Sequence, residues 1–255
     1  MMKRLAVLYN SNENEICSCR DVLLSVFKEN IIFSIDPKDL DDYQIFQKVD
    51  TVITLGGDGF ILHTENRISS NGFNIPMIRI NFGRVGFLAN VKKDMVIESI
   101  GQFLDGKYVM SKRNKVMAII DKSIMIALND IVIERRTTKI AEFSLLIGND
   151  MHDVRGDGII IATRTGSTAY NRSAGGPIIL DDDMFVVTRI CPANLGIAPY
   201  YEIPSETVIQ IIDIKKHNLR IVSDGQESFD LSPGSLIEIK RYPYPALFVE
   251  LGDQY

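Results

Sequence analysis

Thr51-Val52-Ile53-Thr54-Leu55-Gly56-Gly57-Asp58-Gly59 is the stretch on which the fold turns. An apolar, β-branched run that glycines end abruptly predicts a buried strand closed by a tight turn. Phe60 to Ile68 then predicts a helix. Upstream, Leu5 to Tyr9 reads as another buried strand and residues 15–29 as a helix; downstream, Met77 to Ile80 reads as a strand and Lys92 to Leu104 as a helix. Strand and helix in alternation imply right-handed crossovers onto a parallel, Rossmann-like sheet.

After Gly106 the rhythm changes. Val116 to Ile120, Ile124 to Ile133, Phe143 to Ile147, Ile159 to Ala162, Phe185 to Ile190, Val208 to Ile214, Leu219 to Val222, Leu236 to Ile239 and Ala246 to Leu251 are short and β-rich. Turn signals such as Gly148-Asn149-Asp150 and Ser232-Pro233-Gly234 separate them. One helix, Thr168 to Ala174, interrupts, with Ser167 or Thr168 as its expected cap. The expected architecture is an α/β N-terminal domain over 1–105 and a mostly antiparallel, β-rich C-terminal domain over 106–242. Residues 243–255 are expected to return to the first domain.

The 255 residues are 45% hydrophobic and 24% charged, average values for a soluble globular chain. A net charge of −5 argues against nucleic acid or an anionic membrane as partner. The apolar run Leu5 to Tyr9 is too short for a signal peptide, and no stretch approaches the roughly 18 apolar residues of a membrane span. Cys17, Cys19 and Cys191 make neither a disulfide framework nor a zinc pattern, which fits reduced thiols in a cytoplasmic protein. His63, His152 and His217 are far apart and form no metal motif.

Four segments carry chemistry. Gly56-Gly57-Asp58-Gly59 follows a strand at the sheet edge where ligands gather, and its glycines permit positive φ and close approach of backbone N–H groups to an anion. A carboxylate repels phosphate, so Asp58 suggests a base or a metal contact beside the phosphates; the alternative is a turn with a capping acid. Asn129-Asp130 puts two polar residues in an apolar run, where an amide and a carboxylate can grip a ribose diol or mark a polar bulge. Arg155-Gly156-Asp157-Gly158 and Gly166-Ser167-Thr168-Ala169-Tyr170 flank a strand; Tyr170 supplies a flat face for a ring. Ser223-Asp224-Gly225-Gln226, taken alone, is a turn, and Arg135-Arg136 a solvated strand end. Neither a P-loop nor a G-x-G-x-x-G loop is present.

Taken in order, these segments resemble the NAD kinase family along nearly the whole chain, with Asn81-Phe82-Gly83-Arg84-Val85-Gly86-Phe87-Leu88 similar to the family's loop between first motif and second domain and Asp224-Gly225-Gln226 to its Asp-Gly-Gln signature. The resemblance implies transfer of a phosphoryl group from ATP or polyphosphate to the adenosine-ribose 2′-hydroxyl of NAD. It makes Asp58 the carboxylate that takes the hydroxyl proton, with Gly56, Gly57 and Gly59 forming the phosphate loop. It assigns Asn129 and Asp130 to the ribose, and His63, Thr165, Thr168, Ala169, Tyr170 and Ser173 to the remaining dinucleotide. Arg155, Asp157, Ala193 and Gln226 match positions that complete the pocket, some across a subunit interface of a homodimer or homotetramer. A divalent cation, Mg²⁺, accompanies the donor phosphates, and no protein metal site is implied. Departures are Phe60 for a common Thr, His63 for a common Arg and Arg164 for a usual Pro; they bear on donor preference. A lipid kinase of the diacylglycerol or sphingosine type shares Gly-Gly-Asp-Gly but has no need of Gly-Ser-Thr-Ala-Tyr. A non-catalytic NAD(P)-binding regulator has no need of Asp58.

Overall fold

The computed structural model describes residues 2–36, 43–84, 86–89, 91–194, 196–212, 214 and 219–251. Val85, His217 and residues 252–255, which entered the readings above, lie outside the described residues. The chain forms two compact units, Met1–Lys112 with Ala246–Tyr255, and Arg113–Pro245.

The first unit is built on a sheet of β1 (Leu5–Tyr9), β2 (Ile31–Ile35), β3 (Thr51–Gly56), β4 (Met77–Asn81), β5 (Val91–Lys92), β6 (Val109–Arg113) and the chain's last strand, β19 (Ala246–Glu250). Its order is β2-β1-β3-β4-β19-β6, with β5 pairing β4. β1 pairs in parallel with β2 and β3, and β4 with β3, β5 and β19. β1 and β3 are neighbours whose next strands lie on opposite sides, which makes their carboxyl ends a topological switch point where ligands bind. Helices α1 (Asn14–Val26), α2 (Asp58–Ser70) and α3 (Val96–Leu104) belong to this unit. Leu5, Val7, Ile53, Leu55, Ile78 and Ile80 are buried in one core with Ile16, Leu23, Ile100 and Phe103 of α1 and α3. Arg79 on β4 is 4% exposed, but Glu250 on β19 pairs with it at 2.8 Å, so the returning strand neutralises a buried charge.

The second unit has two six-stranded sheets. The first contains β7 (Val116–Ile120), β8 (Ser123–Ala127), β10 (Ala141–Ile147), β11 (Asp150–Gly156), β15 (Ile209–Ile212) and β18 (Ile237–Arg241). The second contains β9 (Asp130–Arg135), β12 (Gly158–Ala162), β13 (Met184–Ile190), β14 (Tyr200–Pro204), β16 (Leu219–Ser223) and β17 (Glu227–Leu231). Their facing residues share one core, with Val116, Phe143 and Ile239 of the first against Ile131, Ile159 and Ile221 of the second. The outer face of the second sheet buries Val132, Ile160, Ala162 and Val186, with Ala174 beyond the short helix α4 (Tyr170–Ser173) packed against them.

The structure corrects several local readings. α2 starts at Asp58, so the acid opens the helix. The run Ile124 to Ile133 is two strands broken at Leu128-Asn129, where the backbone groups bond Asp224 and Thr163 instead of a neighbouring strand. The expected helix from Thr168 is a 3₁₀ turn over Gly166–Thr168 followed by α4, and no side chain caps either. A 3₁₀ turn, Lys93–Met95, precedes α3. β2, β6, β11, β14 and β17 were not anticipated; β6, β11, β14 and β17 carry no clean apolar run, whereas β2, Ile31-Ile32-Phe33-Ser34-Ile35, does and was missed.

Candidate active site

In the first unit, β3 delivers Gly56 to the switch point and α2 begins two residues later. None of Gly56, Gly57 and Gly59 has positive φ. Close approach explains part of the pattern: a Cβ on Gly56 would stand 2.7 Å from Cβ of Phe60 and one on Gly83 3.1 Å from Cα of Gly57, whereas one on Gly57 would make ordinary contact and one on Gly59 would meet nothing within 4 Å. Asp58 sits in the first turn of a 13-residue helix, where the helix dipole favours a negative charge and where backbone N–H groups lack intrahelical partners. Its carboxylate accepts three consecutive backbone N–H groups: Oδ2 from Phe87 at 3.0 Å, and Oδ1 from Leu88 at 3.0 Å and Ala89 at 3.3 Å. His63 lies half-buried further along α2.

In the second unit, Asn129 lies between β8 and β9, and Asp130 starts β9. All six backbone polar groups of Leu128, Asn129 and Asp130 are taken by Asp224 and Thr163. Asp224 Oδ2 accepts from Leu128 N–H at 2.9 Å, and its Oδ1 from Asn129 and Asp130 N–H at 2.7 and 3.1 Å. Asp224 N–H donates to the Asp130 carbonyl, while Thr163 donates its hydroxyl to the Leu128 carbonyl and its N–H to that of Asn129. The site leaves no room for a side chain at Gly166, whose Cβ would come within 2.0 Å of the Asn129 carbonyl oxygen. That contact explains the glycine of Gly-Ser-Thr-Ala-Tyr.

Asp130 is 5% exposed, and its carboxylate has no hydrogen-bonding partner among the described residues. Burial first, then the charge of Asp224, push this carboxyl up to about 7. It lines a cavity of about 450 Å³ with Asn129, Ala169, Tyr170, Asp224 and Gln226. Val132 and Glu134 of β9, Arg220 and Val222 of β16, and Gly225, Glu227 and Ser228 complete the lining. Arg220 is held by Glu134 at 2.6 Å. The Tyr170 hydroxyl is pushed up by burial and then by nearby acids, including Glu134 and Asp130.

Other expected residues fall elsewhere. Arg155 on β11 pairs with Glu142 at 3.2 Å, and its carbonyl accepts from Ala193 N–H at 2.9 Å; neither lines this cavity. Asp157 receives Arg135 at 2.6 Å, and Arg136 bonds Asp230, so the expected solvated strand end is paired. Among the described residues the Thr165 hydroxyl oxygen is buried without a partner, Thr168 donates its hydroxyl to the Thr165 carbonyl, and Ser173 is exposed. Sequence reasoning missed Val132, Glu134, Arg220 and Val222 as lining residues. Their signal was the strand period of two, which sets 130, 132 and 134 on one face of β9 and 220 and 222 on the matching face of β16. It gave Asp224, which adopts φ 50°, no role beyond its place in the Asp-Gly-Gln turn.

A glycine-lined helix head with an acid in it, and a polar cavity beside a flat ring, are compatible with a phosphotransferase acting on a nucleotide-like acceptor. Residues 7–108 match the ATP-NAD kinase N-terminal domain and residues 128–251 the ATP-NAD kinase C-terminal domain. An NAD kinase of Caldicellulosiruptor saccharolyticus is 38% identical over 195 residues, covering 76% of this chain and 74% of that protein. Among solved structures, yeast NADH kinase complexed with NADH has a similar fold, with a TM-score of 0.85 at 20% identity over 99% of this chain and 84% of that one. An NAD kinase from Archaeoglobus fulgidus in complex with ATP matches with a TM-score of 0.79 and 25% identity, over 98% of this chain and 94% of that one. The chain belongs to the NAD kinase family, and its reaction is phosphoryl transfer to a hydroxyl of NAD. Neither a lipid kinase nor a non-catalytic regulator is favoured.

Proposed function

We propose that the acceptor is the adenosine-ribose 2′-hydroxyl of NAD, that ATP is the donor, and that Asp58 Oδ2 receives the hydroxyl proton. The observation that carries this reading is the place of Asp58, in the first turn of α2 beside glycine amides that favour phosphate, with acceptor capacity to spare. A carboxylate offers about four acceptor sites, and three are taken by Phe87, Leu88 and Ala89. Oδ2, with one N–H, keeps the capacity for a substrate hydroxyl. A ribose hydroxyl is a poor nucleophile, and a positioned base contributes roughly 10²–10⁴-fold. The transferring phosphoryl group passes through a loose transition state, so positioning and charge neutralisation supply the remainder. The head of α2 and the glycine amides favour the donor phosphates.

Asn129 and Asp130 grip the ribose diol, Tyr170 stacks on a ring, and Ala169 and Gln226 close the cavity around the dinucleotide. Thr165, with its unpartnered hydroxyl, and Thr168, Ser173 and His63 complete the contacts. Arg155, Asp157 and Ala193 serve the NAD of a neighbouring subunit in a homodimer or homotetramer; Arg155 and Ala193 are adjacent and lie outside the cavity of their own chain.

Among the described residues, no cluster of three or more His, Cys, Asp and Glu is placed to hold a metal ion. In this reading Mg²⁺ arrives on the donor phosphates with its water. Free Cys17, Cys19 and Cys191 support a cytoplasmic setting. Among the described residues no helix is long and apolar enough to cross a membrane.

Incubation with NAD, ATP and Mg²⁺ should yield NADP, with inorganic polyphosphate as the comparison donor. The analogue lacking the adenosine 2′-hydroxyl should give no product; phosphorylation of that analogue would overturn the reading.

A further inference from the structure

We propose that Asp224 is a positioning residue for the dinucleotide: its carboxylate splints Leu128–Asp130 so that Asn129 and Asp130 face the cavity. The inference rests on the reading that this pair grips NAD.

Asn129 lies outside the strand ladders, so sheet pairing does not hold it. Three successive N–H groups converge on one side chain instead, and the turn that carries it is fastened to the same segment. Ser223 donates its hydroxyl to the Ile126 carbonyl at 2.9 Å, and Asp224 N–H reaches the Asp130 carbonyl at 3.0 Å. Asp224 adopts φ 50° and Gly225 φ 67°, a backbone that aims the carboxylate back at the segment. An amide in its place cannot do this. Its one oxygen could serve Asn129 and Asp130, but its NH₂ would confront the N–H of buried Leu128, leaving that donor unpaired.

The charge has a second consequence. Asp130 and Asp224 share the cavity with Glu134, Arg220, Glu227 and Tyr170, and Arg220 is already taken by Glu134. Asp224 is therefore the charge that opposes ionisation of Asp130 beyond what burial does. Keeping a full charge beside another acid makes sense where the splint is worth more than the repulsion.

The test is Asp224→Asn in the full-length enzyme, with NAD and ATP varied separately between pH 6 and 8. The expected result is a rise of about tenfold in KM for NAD, against a change within about twofold for ATP and a smaller fall in kcat, about one fewer good hydrogen bond. In the native enzyme KM for NAD should fall as pH rises through about 7, as Asp130 ionises and accepts the diol. In the variant that inflection should move to lower pH, because a repelling charge has gone; loosened packing alone would leave it in place. Unchanged KM and an unmoved inflection would overturn the proposal. Asn129→Ala separates the two readings: no effect on NAD there removes the ribose assignment, whereas an effect there with none at Asp224 removes only the splint. If Asp224→Asn does not fold, amide hydrogen exchange on the native protein decides, since fast exchange at Leu128, Asn129 and Asp130 contradicts a locked segment.

Discussion

Asp58-Gly59 in one unit and Asp224-Gly225 in the other do the same thing to the backbone in opposite electrostatic surroundings. Each carboxylate takes three consecutive N–H groups, two on Oδ1 and one on Oδ2, from Phe87–Ala89 in the first case and Leu128–Asp130 in the second. Hydrogen-bond pattern therefore does not separate a base from a splint. The field does. Asp58 stands at the positive end of α2 among glycine amides that attract phosphate. Asp224 stands in a left-handed turn beside a second acid, where a phosphate would be repelled and a hydroxyl-rich sugar accepted.

The largest effect should come from Asp58→Asn. Loss of the base is expected to lower turnover roughly 10²–10⁴-fold. NAD affinity, measured by calorimetry, should stay within a few-fold, the reverse of the split expected at Asp224. Turnover within about tenfold of native would reduce Asp58 to a second splint and erase the distinction between the two regions.

The next effect is on stability. Asp130 ionises near 7 when folded and near 3.8 when unfolded. Its folded value is raised, so the stability linked to it is full below the unfolded value, declines as pH rises toward 7 and stays lost above. Over that interval the loss is on the order of 4 kcal/mol at about 1.4 kcal/mol per pH decade. Asp130→Asn, neutral throughout, should therefore have a higher urea midpoint than native protein at pH 8, with the gap closing toward pH 4.5. A gap that widens with acidity would show that the cavity does not suppress the charge. A residue whose replacement stabilises the fold is one retained for another reason, which sharpens the contrast with Asp224, whose loss should destabilise.

What could be read beforehand follows the same division. The β3 run ended by Gly56-Gly57 is local, so alternation and a glycine stop sufficed to find the parallel sheet and its ligand edge. Asp58 stood out because a single acid among glycines is locally anomalous. Asp224 did not, because its partners are some 95 residues away in sequence; an isolated Ser-Asp-Gly-Gln is indistinguishable from any chain reversal. Glu134 and Arg220 were likewise hidden, since their meaning depends on β9 and β16 being neighbours, with Arg220 opposite Glu134. The break at Leu128-Asn129 was hidden by apolar residues on both sides, and the need for glycine at 166 by the Asn129 carbonyl packed against it.

The smallest expected effect tests whether the splint and its cargo are separable. Asn129 is held by its backbone, N–H on Asp224 and carbonyl on Thr163, and the residue lines the cavity. Truncation to Ala leaves both clamps untouched, so the unfolding midpoint should change little, within about 0.5 kcal/mol as for residues away from packing or networks. Loss of the amide should cost NAD one net hydrogen bond, about 1–1.5 kcal/mol, or about tenfold in affinity. ATP affinity should stay within about twofold, and the weakening should be the same at pH 6 and 8, because an amide does not titrate. Calorimetric titration with each ligand at both pH values checks all three expectations. Equal losses for NAD and ATP would mean that this segment senses the phosphate side as well, and that the two aspartates divide the work differently from the way their fields suggest.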